Sequence, residues 1–157
     1  MTYNVHGCVG TDRDLSIDRI ASVIATYRPD VVALQELDFK RARSGRVDQA
    51  HLIAEKLQMM FHFHPAIEIR EEKYGDAILS RYPLRLRHAG VLPTMPSPPG
   101  LERRGALWVT VKLNSCELNV INTHMGLNSR ERVAQARALL GQAWAGRPRS
   151  EQHTSEL

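Results

Sequence analysis

The sequence is poor in cysteine: only Cys8 and Cys116 occur among its 157 residues, and neither belongs to a C-x-x-C pair. Two cysteines are too few for a disulfide framework or a cysteine-based zinc site, so we predict reduced, buried thiols. No apolar run approaches the roughly 18 residues of a membrane span. The N-terminus also lacks the basic and apolar regions of a signal peptide. These absences predict a cytoplasmic protein without a transmembrane segment, and no feature points to an obligate protein partner.

Nucleotide-binding motifs, internal repeats and low-complexity segments are also missing. No G-x-G-x-x-G or P-loop pattern occurs, which argues against those two kinds of nucleotide site. Apolar residues form 43% and charged residues 24% of the chain, as in ordinary soluble globular proteins. The length fits a single domain or part of one. The net charge of +4, carried mostly by arginine, permits a phosphate-bearing ligand without identifying one.

Hydrophobic periodicity predicts a β-α-β beginning. Residues 1–5 are rich in strand-forming types, and apolar residues at helical spacing predict a helix from Ser16 to Tyr27. The short apolar run at 31–34 predicts a buried strand. A second helix is predicted over residues 48–60.

The rest of the chain has a strand-rich pattern that ends in a helix. Strands are predicted at residues 61–67, 75–80, 84–91, 107–113 and 116–123. A proline-rich exposed loop is predicted at 94–100, and the last helix, at 129–145, has Asn128 as its cap and Glu131 at capping-box spacing. The order of elements predicts an α/β fold with a mixed, largely antiparallel sheet, and argues against a βα barrel or a Rossmann domain.

Four polar residues stand at strand ends without a local structural reason. Asn4 ends the first strand, Glu36 follows the buried run at 31–34, Asp76 lies at a strand entrance, and His124 follows the last strand. A carboxylate in such a place is costly unless it is paired or bound to a cation. If these strands share one edge, the four side chains converge on a single cleft.

Such a cleft suits the hydrolysis of phosphate esters. Glu36 and the Asn4 amide offer the oxygen ligands that a hard divalent cation prefers. His124 would donate a hydrogen bond or a proton to the phosphate. No serine or cysteine nucleophile with a partnered base is evident, so water is the predicted attacking group.

Four segments in order resemble the endonuclease/exonuclease/phosphatase superfamily, the DNase I-like phosphohydrolases. The matching segments are TYNVHG at residues 2–7, PDVVALQE at 29–36, YGDAILSRYP at 74–83 and VINTHMG at 120–126. The resemblance implies a two-sheet α/β sandwich with helices packed outside. It also implies a Mg²⁺- or Mn²⁺-dependent phosphodiesterase or phosphatase, whose substrate is a nucleic acid, a phosphoinositide or a phospholipid headgroup.

The resemblance also assigns roles to individual residues. It implies Asn4 and Glu36 as metal-site residues and His124 as the active-site histidine that contacts the phosphate. Asp76 belongs to the same catalytic group, although relatives usually carry asparagine or another small residue there. Arg104 lies in the segment RRGAL at 103–107, which resembles a family hallmark and implies a phosphate contact.

Later family motifs, a Gly-Asp-Phe-Asn segment and a Ser-Asp-His segment, do not occur in the sequence. We therefore expect residues 1–147 to form a partial domain, incomplete at its C-terminus and inactive on its own. Residues 148–157 follow a Gly-Arg-Pro breaker without apolar periodicity, and we expect a non-native or disordered tail there.

Two other classes of function stay open. A noncatalytic nucleic-acid-binding module is suggested by the basic segment 40–46, although that segment lacks interleaved aromatic residues. A structural zinc protein is suggested by His62 and His64, which lie on one face of a predicted strand but need two further ligands.

Overall fold

The computed structural model describes residues 1–95 and 102–144. The elements, in chain order, are β1 (Thr2–Asn4), α1 (Ile17–Tyr27), β2 (Val31–Phe39), α2 (Gln49–Leu57), β3 (Met60–Ile69), β4 (Glu72–Ser80), β5 (Leu84–Val91), β6 (Gly105–Lys112), β7 (Glu117–Thr123) and α3 (Ser129–Leu140). Short 3₁₀ turns occupy His6–Cys8 and Ala42–Ser44. Residues 148–157 and most of the proline-rich loop lie outside the described residues.

The strands form two sheets. A four-stranded sheet has the order β1-β2-β4-β3, and a three-stranded sheet has the order β5-β6-β7. Among the described strands, only β1 and β2 pair in parallel; the other pairs are antiparallel. This arrangement confirms the predicted two-sheet α/β sandwich with its mixed, largely antiparallel strands.

Alternation along β4 builds the two sides of the four-stranded sheet. Ala77 and Leu79 belong to the core cluster that contains the inner faces of α1 and α2. Ile78, between them, points the other way and packs with Leu107 and Val109 of β6. A strand buried on both faces is continuously apolar, as residues 77–79 are.

Side-chain caps set the helix starts. Ser16, Asp48 and Asn128 each accept hydrogen bonds from backbone N–H groups of the first turn, which confirms Asn128 as a cap. The second helix is shorter than predicted, because Gln58 adopts a left-handed conformation and Met60 already begins β3. None of the helices in residues 1–95 and 102–144 is long and apolar enough to cross a bilayer.

Two expectations about local placement were wrong. Cys8 is buried as predicted, but Cys116 is exposed because it lies in the tight turn between β6 and β7. Asp76 does not lie at a strand entrance: β4 begins at Glu72, so Asp76 lies within the strand and is buried.

Candidate active site

A β-bulge in β2 places Glu36 at the centre of the site. The prediction that the strand ends before Glu36 was wrong, because β2 continues to Phe39 with a register shift between Leu34 and Leu37. Two residues of β2, Gln35 and Glu36, therefore face one residue of β4, and Glu36 takes a positive φ of 65°. Bulges of this kind redirect a side chain from its sheet.

The Glu36 carboxylate gathers three polar side chains. Asn4 Nδ2 donates a hydrogen bond to Oε1 at 2.8 Å, and His124 Nε2 lies 3.4 Å from the same oxygen. His6 Nδ1 lies 3.0 Å from Oε2. The structure thus brings together Asn4, Glu36 and His124, as the sequence predicted, and adds His6.

Asn122 connects the two sheets behind this cluster. Its side-chain Nδ2 donates to the backbone carbonyls of Leu34 (2.8 Å) and Ala77 (2.9 Å). Its Oδ1 accepts from Gln35 Nε2 at 2.7 Å. Because Asn122 is two residues before His124, these bonds bring the end of β7 against the bulge of β2.

Asp76 is the most deeply buried carboxylate of the site, with 5% of its surface exposed. Burial raises the pKa of Asp76 to about 7. Backbone N–H groups of Glu36 and His124, and the positive charge of Arg104, pull that pKa down in part. In the sheet, Asp76 is the residue of β4 that faces the bulge formed by Gln35 and Glu36.

Arg104 is 7% exposed and belongs to the same electrostatic environment. Its Nη1 lies 3.0 Å from Glu102 Oε2, whereas its buried Nε has no hydrogen-bond partner among the residues that the structure describes. A buried guanidinium N–H without a partner is a donor available to an anion, and the arginine fork matches a phosphate.

The pKa values of Glu36 and His124 are both lowered, for Glu36 against the effect of burial and for His124 because of it. Burial raises the pKa of Glu36, but the Asn4 hydrogen bond and the charges of His6 and His124 outweigh it and hold that pKa below its usual value. Burial, aided by Arg104, lowers the pKa of His124 against the attraction of Glu36. Glu36 is thus ionised and His124 neutral at neutral pH.

An open cavity of about 310 Å³ adjoins Glu36. Its lining includes the polar side chains of Arg43 and Tyr74 and the apolar side chains of Val9 and Leu15. The pKa of Tyr74 is raised by burial and by the carboxylates of Glu102 and Glu36. The cavity is large enough to hold part of a small substrate beside the carboxylate.

Sequence reasoning missed three residues of this region. His6, Tyr74 and Asn122 occur in the sequence only as members of the segments at 2–7, 74–83 and 120–126, without a role of their own. The position of Asn122 directly after the apolar pair Val120 and Ile121 of a predicted strand is a signal, because a buried amide needs partners. Only the fold reveals the contacts of His6 and Tyr74.

The donors around Glu36 suit a hard cation. Within residues 1–95 and 102–144, no group of three or more His, Cys, Asp and Glu side chains is arranged to hold a metal ion. A single carboxylate with a neighbouring amide nevertheless fits Mg²⁺ or Mn²⁺, because Mg²⁺ sites use one or two carboxylates and keep several waters. Structural zinc needs four close ligands, which His62 and His64 do not find in the described part of the chain.

Comparisons with solved structures support the fold. An endonuclease/exonuclease/phosphatase from Beutenbergia cavernae is 26% identical with a TM-score of 0.71, over 88% of this chain and 42% of that one. A family protein from Leptotrichia buccalis is 19% identical with a TM-score of 0.64, over 96% and 63%. TDP2 from D. rerio, complexed with a single-strand DNA product, is 20% identical with a TM-score of 0.61, over 94% and 54%.

The chain therefore spans between about two fifths and two thirds of the length of these structures. No curated protein matches it. The model of the Endonuclease/Exonuclease/phosphatase family matches residues 1–154, nearly the whole chain. The fold, the order of the motifs and this match together show that the chain belongs to the endonuclease/exonuclease/phosphatase family.

Proposed function

We propose that this chain carries part of the active site of a divalent-cation-dependent phosphoric ester hydrolase, acting on a phosphodiester or a phosphomonoester. The observation that carries the proposal is the cluster around Glu36, in which an ionised carboxylate contacts Asn4, His6 and His124. Family members are phosphoric ester hydrolases. The D. rerio TDP2 structure holds a single-strand DNA product, but its likeness to this chain concerns the fold alone.

Glu36 is the proposed metal-site residue, with Asn4 beside it. The low pKa of Glu36 keeps the carboxylate charged at neutral pH, as a cation ligand must be. Asn4 Nδ2 holds one carboxylate oxygen in place at 2.8 Å. Bound Mg²⁺ or Mn²⁺ would supply charge neutralisation at a phosphoryl oxygen.

His124 and Arg104 are the proposed phosphate contacts. His124 is neutral at neutral pH and partly exposed, so one ring nitrogen can donate a hydrogen bond to a phosphoryl oxygen. Arg104 lowers the pKa of His124 through its charge, which places both residues in one electrostatic environment. A positive charge next to a hydrogen-bond donor favours an anion between them.

Asp76 is the proposed positioning group beneath the reacting atoms. The backbone N–H groups of Glu36 and His124 lower its pKa against the effect of burial, so its carboxylate is influenced by both the metal-site residue and the phosphate-contacting residue. Water is the proposed nucleophile, because the residues lining the cavity include no cysteine and one serine, Ser44, whose hydroxyl donates to the Arg41 carbonyl.

Nucleic-acid binding is the second candidate, and one observation favours it. The sequence shows no aromatic residues within the basic segment 40–46, but the fold brings the Tyr74 ring within 6 Å of it, 5.7 Å from Arg41 Cζ and 5.5 Å from Arg43 Cζ. Against this reading, Arg43 makes two 2.8 Å hydrogen bonds to the buried Asp38. Arg43 therefore holds the loop to the sheet, and the hydrolase is the better-supported function.

Glu36→Gln in the complete gene product tests the proposal. We expect hydrolysis of generic aryl phosphodiesters and phosphomonoesters with Mg²⁺ or Mn²⁺ to fall by roughly 100-fold or more, since the variant loses the charge that holds the cation. Glu55→Gln, at an exposed position of α2, is the matched control. Unchanged turnover of Glu36→Gln with an unchanged dependence on metal would contradict the proposed metal site at Glu36. Steeply salt-dependent DNA binding without hydrolysis would favour the nucleic-acid-binding function instead.

A further inference from the structure

His6 approaches the Glu36 carboxylate at a different oxygen from Asn4 and His124. Asn4 and His124 both approach Oε1, whereas His6 Nδ1 lies 3.0 Å from Oε2. The His6 side chain is 71% exposed and that of Glu36 is 18% exposed. A mostly exposed imidazole is thus held against a mostly buried carboxylate at the mouth of the cavity.

The backbone conformations of both residues are unusual. His6 has φ 49° and Glu36 has φ 65°, in the left-handed region that non-glycine residues seldom occupy. Such conformations persist only where the surrounding structure enforces them, and they concentrate at functional sites. The contact between His6 and Glu36 thus joins two backbone positions that are both costly to maintain.

Polar contacts of neighbouring residues enforce the His6 conformation. The His6 N–H donates to Asn4 Oδ1 at 3.1 Å. The buried Gln49 donates from Nε2 to the Gly7 carbonyl at 2.6 Å and accepts from the Asp38 N–H at 2.8 Å. Gln49 therefore fastens the turn that carries His6 to the strand that carries Glu36.

We propose that His6 and Glu36 form a nitrogen–oxygen ligand pair for the divalent cation, and that His6 makes the site prefer Mn²⁺ to Mg²⁺. The proposal rests on the proposed function, which needs a cation at Glu36. Adjacent ligands about 2.1 Å from an octahedral ion lie roughly 3 Å apart, as Nδ1 and Oε2 do. Mg²⁺ favours all-oxygen ligand sets, whereas imidazole suits transition metals better.

His124 is a poorer ligand than His6. It shares Oε1 with the Asn4 amide at the longer distance of 3.4 Å, and it feels the positive charge of Arg104, which opposes a cation there. With two protein ligands, water and phosphate oxygens would complete the coordination of the ion.

The test is direct binding of Mn²⁺ to the complete gene product, followed by electron paramagnetic resonance. Free Mn²⁺ is titrated to obtain its Kd, Mg²⁺ competes for the site, and pulsed spectra report coupling of the bound Mn²⁺ to a histidine ¹⁴N nucleus. The variants are His6→Ala and His6→Asp. His51→Ala, which removes an exposed imidazole of α2, is the matched control.

The wild type and His51→Ala should both bind Mn²⁺ with ¹⁴N coupling. Their affinity for Mn²⁺ should exceed their affinity for Mg²⁺ by roughly tenfold or more. His6→Ala should lose the coupling and weaken Mn²⁺ binding about tenfold or more, with little change for Mg²⁺. His6→Asp supplies an oxygen ligand in place of the imidazole nitrogen. It should bind Mn²⁺ without ¹⁴N coupling and should no longer prefer Mn²⁺ to Mg²⁺. That second variant keeps the test readable if His6→Ala is unstable.

Bound Mn²⁺ without ¹⁴N coupling in the wild type, or coupling that survives in both His6 variants, would overturn the proposal. The same holds if Mg²⁺ and Mn²⁺ bind equally well to the wild type. These readouts are separate from turnover. Hydrolysis that depends on Glu36 but shows no nitrogen ligand would leave the proposed function intact, whereas nitrogen-ligated Mn²⁺ without hydrolysis would remove only the proposed function.

Discussion

Asn122 Oδ1 accepts a hydrogen bond from Gln35 Nε2 at 2.7 Å, and this buried contact joins the two sheets directly behind the Glu36 bulge. The same asparagine donates to the carbonyls of Leu34 and Ala77 in the opposite sheet. The site is assembled from both sheets, so its geometry depends on how they are held together. Asn122 is the residue whose side chain performs this role.

Asn122→Ala should destabilise the fold and displace His124. Without the amide, the Gln35 side chain loses its buried acceptor, and the backbone carbonyls of Leu34 and Ala77 lose a donor. Each buried group left unsatisfied should lower the free energy of unfolding by about 1–3 kcal/mol. Denaturant unfolding of the variant, compared with Asn114→Ala in the exposed turn after β6, measures the free energy of unfolding. Equal stability of the two variants would contradict the role of Asn122.

His124→Ala should affect turnover far more than stability. We expect kcat of the complete gene product to fall by roughly 100-fold or more, the scale of a positioned hydrogen-bond or proton donor. The side chain is partly exposed, so the Tm should stay close to that of the wild type. His51→Ala controls for the loss of an imidazole, and a large fall in Tm with kcat retained would make His124 structural.

Asp76→Asn should change how stability depends on pH. Because the pKa of Asp76 is raised to about 7, the folded state holds a proton between about pH 4 and 7 that the unfolded state has released. The free energy of unfolding of the wild type therefore falls as pH rises through this window and levels off above about pH 7.

The Asn variant has no such proton, so its stability relative to the wild type should increase from pH 4 to pH 7. Three pKa units correspond to about 4 kcal/mol as an upper scale. Urea unfolding in EDTA at several pH values checks this expectation. Parallel stability curves for the two proteins would show that Asp76 titrates near its ordinary pKa.

Strand β7 is expected to drive self-association of the 157-residue chain. It pairs only with β6 among the described strands, and Leu118 and Ile121 on it are 45% and 41% exposed. An unpaired apolar edge is a template for another chain. We expect concentration-dependent oligomers in light scattering, reduced in Leu118→Lys and unchanged in a control, Val133→Lys, on the exposed face of α3. A monomer at all concentrations would contradict this.

Local sequence patterns determined the elements and their order. The helical spacing from Ser16 to Tyr27 and the cap at Asn128 each depend on near neighbours along the chain, and each appears in the structure. Local patterns also placed Asn4 and His124 at strand ends, whereas the predicted strand end before Glu36 was wrong. Turn and cap chemistry acts over a few residues, so it is visible in the sequence, whereas a bulge depends on the partner strand.

Only the tertiary structure decided which groups touch and how they titrate. The bulge that aims Glu36, the burial of Asp76 inside β4 and the double role of Asn122 depend on the register between strands 40 to 90 residues apart in sequence. A one-residue difference in register would send these side chains to the other face. The contact of His6 with Glu36 likewise exists because β1 lies parallel to β2, a pairing that no local pattern encodes.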